Sequence, residues 1–497
     1  MIMCGICGWA AADIKREFDP GLLQTMTRAL AHRGPDDEGM FREPGVALGH
    51  RRLSILDIAH GSQPFHSPSG RHVLVYNGEV YNAPELRRNL QSRGYLFRTH
   101  CDTEVLAVLA DDREFSFVND LEGIFAFALW DRRDKRLLLA RDGLGVKPLI
   151  YRIDPDGIRF ASELKSLYED RLLPWTLDAR ALHHYLGLNY IPAPFTIYSE
   201  ARKLAPGETL EWNAGACRKN YFWQPPTEPG PSRTNYEIGE TVRSLVKDSI
   251  RGQLQSDVPL GVFLSSGVDS AIVLMASCAY ASSAPSAFCV GFHEKSFDER
   301  PGARSTAGIC GAPLVEFVLE PRLADLIPRM ARHFDEPFAD SSAVPVWELC
   351  RQSVKHVTVA LSGEGGDEVF CGYLPYHAHL YADRMIRWHL AGLAPALMAL
   401  LKIIPASDRK TTHIYKMKRF LPHLKQDAAH RHFLWKVIND EGQKSRLYTP
   451  AWNQAHPGLS PTVDLWEHLF KKFRRHEAVT TAALADLSLY LPGDILT

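Results

Sequence analysis

The sequence predicts a two-domain protein in which an antiparallel-sheet domain precedes a parallel sheet covered by helices. Three observations predict it. The chain has 497 residues, too many for one ordinary core and suited to two to three domains. A composition break falls at "WQPPTEPGPSRT" (residues 223–234), where four prolines lie between Pro225 and Pro231. Neither a helix nor a central strand tolerates that density, so the stretch reads as a linker. The texture also differs on its two sides. The domains expected are 4–215, a Pro-rich linker 216–235, and 236–497.

Taken in order, the first half opens with Cys4 and Cys7 at CxxC spacing in "MIMCGICGWA". Short apolar runs follow, "FAFALWD", "RLLLARD", "PLIYRI" and "IRFASE", separated by Gly, Asp and Pro turns as in antiparallel sheets. Past the linker, "YEIGETVRSLVKDSIRGQL" carries apolar residues at 238, 242, 245, 246, 250 and 254, a helical stripe. Strand-like runs then alternate with helical stretches: "PLGVFLSS", "SAFCVGF", "LVEFVLE" and "VTVALSG". That alternation predicts a parallel sheet flanked by helices. No internal repeat is present.

Composition limits the partners. Lys plus Arg number 57 against 58 Asp plus Glu, so no net field recruits nucleic acid or an anionic membrane. Nine cysteines, odd in number and scattered from Cys4 to Cys371, argue against a disulfide-built secreted protein and for a reducing, cytoplasmic setting. The N-terminus has no basic stretch leading into a long apolar run, as a signal peptide would. The most apolar segment, Leu390 to Leu401, holds Pro395 and is shorter than the about 20 residues of a membrane span; it is expected as a buried or partly exposed helix. "KMKRFLPHL" (416–424) reads as a basic surface or, more simply, a solvated helix face. The 21 histidines show no metal-ligand spacing.

The second half holds a phosphate loop of an unusual kind. "PLGVFL" runs into "SSGVDS" (265–270), and "AIVLMASCAYA" continues with helical periodicity. A small-residue loop between strand and helix directs backbone N–H groups, hydroxyls and the positive helix end at an anion. No Gly-Lys-Ser/Thr follows, so this is not a Walker A loop. Further on, "FDEPFADSSAVP" precedes the strand "VTVAL" and then "SGEGGDEVFCGY" (362–373). Loops after parallel strands face one crevice, where Asp269 and Asp367 would offer hard oxygen ligands suited to Mg2+ shared with phosphate oxygens.

"SSGVDS" resembles the pyrophosphate loop of ATP pyrophosphatases (SGGxDS), with Ser266 in place of a glycine; tolerance is expected. With "VGFHEKSFDE", "DEPFADSSAVP" and "SGEGGDEVFCGY", the stretch 236–375 resembles the synthetase domain of glutamine-hydrolysing asparagine synthetases. The resemblance implies an α/β parallel-sheet ATP-pyrophosphatase domain of the adenine nucleotide α-hydrolase type. It places Leu264 and Val290 beside the adenine, with Ser362 and Gly363 closing on the nucleotide. It gives the pyrophosphate and Mg2+ to Ser265, Gly267, Asp269 and Ser270, a further metal or substrate contact to Asp367, and the incoming ammonia to Glu364. Adenylation turns a poor electrophile, a carboxylate, into one with AMP as leaving group; catalysis is then mostly positioning and charge neutralisation.

In the first half, "CGICG", "HRGPDDEG", "GHRRLSILD", "YNGEVYN", "CDTEV", "ARDGLGVKPL" and "FASELKSL" resemble the class II glutamine amidotransferase domain, an αββα N-terminal-nucleophile (Ntn) hydrolase sandwich. The resemblance makes Cys4 the nucleophile and first residue of the mature chain. A free α-amino group, of pKa about 7.7–8.0, then serves as base for its own thiol. It puts Asn77 and the Gly78 N–H in the oxyanion hole, Arg52 in a bidentate clamp on the glutamine α-carboxylate, and Glu79 and Asp102 on its α-ammonium. Cys7 is expected as a buried apolar residue; redox or zinc use of the CxxC is disfavoured by the missing second ligand pair and by its place at the chain start. Because Ile-Met-Cys would block the thiol, translation is expected to begin at Met3. Gly143, where relatives often have arginine, is expected to soften a domain contact.

Relatives continue past "LSLYLPGDILT" into a lysine-containing stretch, so the domain 236–497 reads as truncated at its C-terminus. The function expected is asparagine synthesis from glutamine, aspartate and ATP, with Mg2+, in a soluble enzyme that could be a homodimer. Two alternatives stand beside it: the same half-reactions on another carboxylate (an envelope sugar acid or a peptide), or a synthetase-defective glutaminase or binding protein.

Overall fold

The computed structural model describes residues 3–320, 323–403 and 412–496, with Lys402 described for its backbone only. Met1 and Ile2, on which the expected start site bears, lie outside the described residues.

The first half supplies twelve strands: β1 (Gly5–Ala11), β2 (Asp37–Glu43), β3 (Val46–Arg52), β4 (Phe65–His66), β5 (His72–Val80), β6 (Gly123–Asp131), β7 (Arg136–Arg141), β8 (Ile150–Asp154), β9 (Gly157–Ala161), β10 (Ala201–Lys203), β11 (Glu208–Asn213) and β12 (Ala216–Tyr221). They form two six-stranded antiparallel sheets, ordered β10-β8-β9-β1-β3-β2 and β12-β11-β7-β6-β5-β4. Period-two geometry sorts their side chains into three apolar layers. Ile6 and Ala10 of β1 meet Val73, Val75, Ala126, Ala128 and Trp130 of β5 and β6 between the sheets. Cys7, Trp9 and Ala11 point the other way, onto Leu23 and Met26 of the helix Pro20–Ala29. On the far face, Phe125, Phe127 and Leu129 pack on Val105, Leu106 and Leu109 of the helix Asp102–Arg113. Both faces of each sheet are covered, so the strands read as continuous apolar runs rather than clean alternations. The result is the αββα sandwich expected.

One boundary changes. Residues 216–221, expected in the linker, form β12 and pair with β11 from Glu208↔Tyr221 to Asn213↔Ala216. The signal was weak because this edge strand, "ACRKNY", is exposed along its whole length. Gly143 is also explained differently. A Cβ there would come within 2.9 Å of the Trp223 ring, so the glycine makes room for the end of the first domain.

The second half builds a four-stranded parallel sheet from β13 (Leu260–Phe263), β14 (Ser286–Gly291), β15 (Leu314–Val318) and β16 (Val359–Leu361), ordered β15-β14-β13-β16. The order reverses between β13 and β16, and a ligand crevice opens at such a switch point, beyond the carboxyl ends of the strands. The helix Asn235–Gln253, closed by a Thr234–Glu237 capping box, precedes the sheet. A helical layer follows it, centred on Phe433, Trp466, Ala485 and Leu489. There the buried Asp486 accepts from Tyr376 Oη (2.8 Å) and Lys436 Nζ (2.8 Å) and bonds His432 Nε2 (3.0 Å).

The two halves touch along a polar seam. Asp57 N donates to Asp257 (2.8 Å), Lys165 Nζ pairs with Asp335 (3.1 Å), Lys203 pairs with Glu336, and Ala339 N donates to the Asn189 carbonyl (2.8 Å). Between them lies a cavity of about 1010 Å³.

Candidate active site

Just before β1 the Cys4 thiol is held by the backbone of Leu53, just past β3: Leu53 N donates to Sγ at 3.3 Å, and the thiol reaches the Leu53 carbonyl at 3.6 Å. Burial pushes the Cys4 thiol up; the Leu53 bond and the cations Lys147 and Arg33 work against that, while Glu79 adds to it. Cys7, by contrast, is wholly buried beside Thr27 (3.5 Å), its thiol pushed up to about 11 by burial, and serves packing as expected.

β5 carries the expected oxyanion-hole residues. Asn77 is 1% exposed, and its Nδ2 has no hydrogen-bond partner among the described residues. A buried amide donor left open is costly, and it fits a site that awaits an acceptor. Gly78 follows, where a Cβ would come within 2.2 Å of the Ile124 carbonyl oxygen on the paired strand β6. Only glycine lets the strand pair continue there.

Glu79 and Asp102 face each other from β5 and the first turn of the helix Asp102–Arg113. Burial first, and then the Asp102 charge, push the Glu79 carboxyl well up; burial also raises Asp102, although Tyr76 Oη (2.6 Å) and Val80 N (3.0 Å) donate to it. Two buried carboxyls of like charge push one another up, and a cation placed between them would relieve that cost.

Arg52 is the residue expected on the glutamine α-carboxylate. Its guanidinium donates to the carbonyls of Ile58 (3.0 Å), Leu56 (3.0 Å) and Asp57 (2.8 Å). With both Nη2 donors spent, it braces the loop after β3, and a bidentate carboxylate clamp would require that loop to yield.

Two residues escaped the sequence reading although both stand in quoted motifs. Arg33, in "HRGPDDEG", donates through Nε to the Cys4 carbonyl (3.0 Å) and through Nη1 to Glu163 (2.6 Å). Lys147, in "ARDGLGVKPL", is 6% exposed, contacts Met3 Sδ, and has no carboxylate within ion-pair distance among the described residues. Burial lowers its ammonium to about 8, helped by the neighbouring Arg33 and opposed by Glu79, Asp142 and Cys4. The signal was there: a lysine inside a run that must be buried to follow β7.

In the second half, the loop after β13 folds on itself before the helix Val268–Tyr280. Ser265 Oγ accepts from Gly267 N (3.0 Å) and bonds Ser270 Oγ (2.9 Å), which also accepts from Ser265 N (3.1 Å). The two hydroxyls therefore brace the loop and take the Ser265 and Gly267 N–H groups, which leaves its other N–H groups and the positive helix end to meet an anion. Leu264 is buried and bonded to the Phe288 carbonyl (2.8 Å), next to Val290 on β14. The loop after β16 packs directly against this one. A Cβ on Gly366 would lie 2.6 Å from Asp269 Cγ, and one on Gly363 would lie 2.9 Å from Ser270 N. Ser362 and Glu364 stand exposed at this junction.

Asp367 sits beside Asp269, its carboxyl pushed up by burial and by that neighbour. No set of three His, Cys, Asp or Glu among the described residues could hold a metal alone. The pair fits Mg2+ only with phosphate oxygens completing the shell.

The cavity lies between the two sites: Arg52 and Leu53, whose backbone holds the Cys4 thiol, line it on one side, and Phe263 at the end of β13 with Val359 and Ala360 of β16 on the other; Cys350, another wall residue, feels the Glu364 charge.

Comparison with known proteins agrees with this division. The glutamine amidotransferase domain family matches residues 3–223 and the asparagine synthase family residues 241–497. Over 478 residues, 96% of this chain and 73% of the relative, the chain is 33% identical to asparagine synthetase [glutamine-hydrolyzing] 1 of Bacillus subtilis (strain 168). The chain belongs to the glutamine-hydrolysing asparagine synthetase family. A putative asparagine synthetase [glutamine-hydrolyzing] 2 of Methanocaldococcus jannaschii is 33% identical over 77% of each chain. Asparagine synthetase B of Escherichia coli (strain K12) is 31% identical over 76% of this chain and 65% of its own. A likeness to the solved glutamine phosphoribosylpyrophosphate amidotransferase of B. subtilis, with TM-score 0.35, 18% identity, and 65% and 70% of the two chains covered, is too slight to carry an argument.

Proposed function

We propose that this chain makes asparagine: it adenylates the aspartate side-chain carboxylate with ATP and lets glutamine-derived ammonia displace AMP. The observation that supports this best is the pairing, in one molecule, of a strand-end thiol and an open Asn77 amide in one half with a phosphate loop at a switch point in the other, and a cavity between the halves.

Each residue then has a task. The α-ammonium of glutamine lies between Glu79 and Asp102, and its α-carboxylate lies toward the Arg52 loop. With Met3 removed, the α-amine of Cys4 takes the thiol proton, Sγ attacks the carboxamide carbon, and Asn77 Nδ2 with Gly78 N–H receives the oxyanion. One such donor is worth about 2.7–4 kcal/mol. Collapse gives a thioester and ammonia; water then releases glutamate. Lys147, buried at the same spot, supports the thiolate electrostatically.

Ammonia, uncharged in an apolar-walled cavity, moves toward Ala360 and Glu364, which orients it on the acyl-adenylate. The loop 265–270 holds the pyrophosphate end of ATP, with Leu264 and Val290 beside the adenine and Ser362 and Gly363 closing on the nucleotide. Mg2+ on Asp269 and Asp367 would neutralise charge on the leaving pyrophosphate.

The test uses Cys4→Ala. It should abolish glutamine-dependent asparagine formation while leaving ammonia-dependent formation, with AMP and pyrophosphate as nucleotide products. Turnover with another carboxylic acid and none with aspartate would reject the acceptor, and ADP as product would reject the mechanism.

A further inference from the structure

The overall charge balance hides a strongly basic region. Residues 384–425 contain nine Lys and Arg against a single acid, Asp408. The described ones fold as the end of the helix Leu374–Arg387, the helix Ala394–Lys402 and the helix His413–Phe420. One face of this unit is satisfied: Ala394, Leu401, Leu421 and Leu424 close on Ala382 and Trp435. The other is not. Trp388 is 66% exposed, Leu393 55%, Leu400 61% and Ile403 79%. Leu393, Leu400 and Ile403 recur at helical spacing, so they form one stripe well away from the Ala394–Leu401 stripe. On the neighbouring segments Arg384, Arg387, Lys416 and Lys425 are exposed, and no carboxylate among the described residues pairs with them. Asp383, the nearest acid on the same helix, is already bound by Arg431 at 2.9 Å.

Exposed aromatic and aliphatic side chains with cations on adjoining segments that meet no carboxylate among the described residues suit the boundary between anionic headgroups and acyl chains. No helix among the described residues is long and apolar enough to cross a membrane. We propose that this face docks the protein peripherally on an anionic lipid surface, with Trp388, Leu393, Leu400 and Ile403 entering the headgroup layer and Arg384, Arg387 and Lys416 meeting lipid phosphates. Charge complementarity selects this occupant over a second copy of the chain, whose identical face would bring like charges together.

The test is co-sedimentation of the full chain with vesicles of phosphatidylcholine alone or mixed with phosphatidylglycerol. Binding should need the anionic lipid and fade at high salt. Each neutralised cation should weaken partitioning about fivefold. Arg384→Glu/Arg387→Glu/Lys416→Glu should abolish binding, and Leu393→Ser/Leu400→Ser should reduce it at low salt, with glutaminase rate and circular dichroism unchanged in both. Equal binding to neutral vesicles, no binding to anionic ones, or a lipid-free dimer dissolved by Leu393→Ser/Leu400→Ser would each overturn the proposal.

Discussion

Glu79 and Asp102 set how glutamine binding responds to pH. Both carboxyls titrate above their ordinary range in the empty pocket, chiefly through burial. A raised carboxyl favours the folded state below the unfolded-chain value and loses that contribution as pH rises through the folded one. An ammonium between the pair reverses the cost. In Cys4→Ala protein, where glutamine is bound but not consumed, the thermal stabilisation by glutamine should therefore grow between mildly acid and mildly alkaline pH. Glu79→Gln should weaken it and flatten the pH dependence; an unchanged profile in Glu79→Gln would remove the pair from the pocket. Asn77, Gly78, Glu79 and Asp102 were legible as motif residues. What Arg52 bonds was not, because the three carbonyls it holds belong to a loop whose path no spacing encodes.

At the scale of elements, the phosphate loop shows how one residue type is accommodated by another. Ser266 stands where the related loops carry glycine, and a Cβ on Gly302, early in the helix Arg300–Cys310, would fall 2.6 Å from the Ser266 Cβ. The extra carbon in the loop is matched by a missing one across from it. Gly302→Ala should push the loop out of register and lower ATP affinity about tenfold, roughly 1.4 kcal/mol, whereas Ser266→Gly/Gly302→Ala should restore it; pyrophosphate release at varied ATP reads both. All four parallel strands were legible from apolar runs between Gly and Pro punctuation. The exposed edge β12 was not, because only its pairing with β11 makes "ACRKNY" a strand.

For the whole molecule, the cavity between the halves is the feature no sequence pattern could announce, since its walls come from segments as distant as Leu53, Ala343 and Ile495. Ala343→Phe should obstruct it. Glutamine hydrolysis and ammonia-dependent synthesis should each persist, while asparagine formed per glutamine consumed falls severalfold; an unchanged ratio would show that nitrogen travels elsewhere. The even charge total likewise averages over the chain and passes over the stretch 384–425, where basic residues outnumber acidic ones.

Glu163 has one further consequence. One of its oxygens holds Arg33, which grips the main chain of Cys4, and the other holds Lys165, which reaches Asp335 and the His333 carbonyl of the opposite half. A tilt of one lobe relative to the other pulls on a carboxylate two contacts from the attacking sulfur. The seating of the far lobe is in this way tied, through Glu163 and Arg33, to the main chain that carries the attacking sulfur.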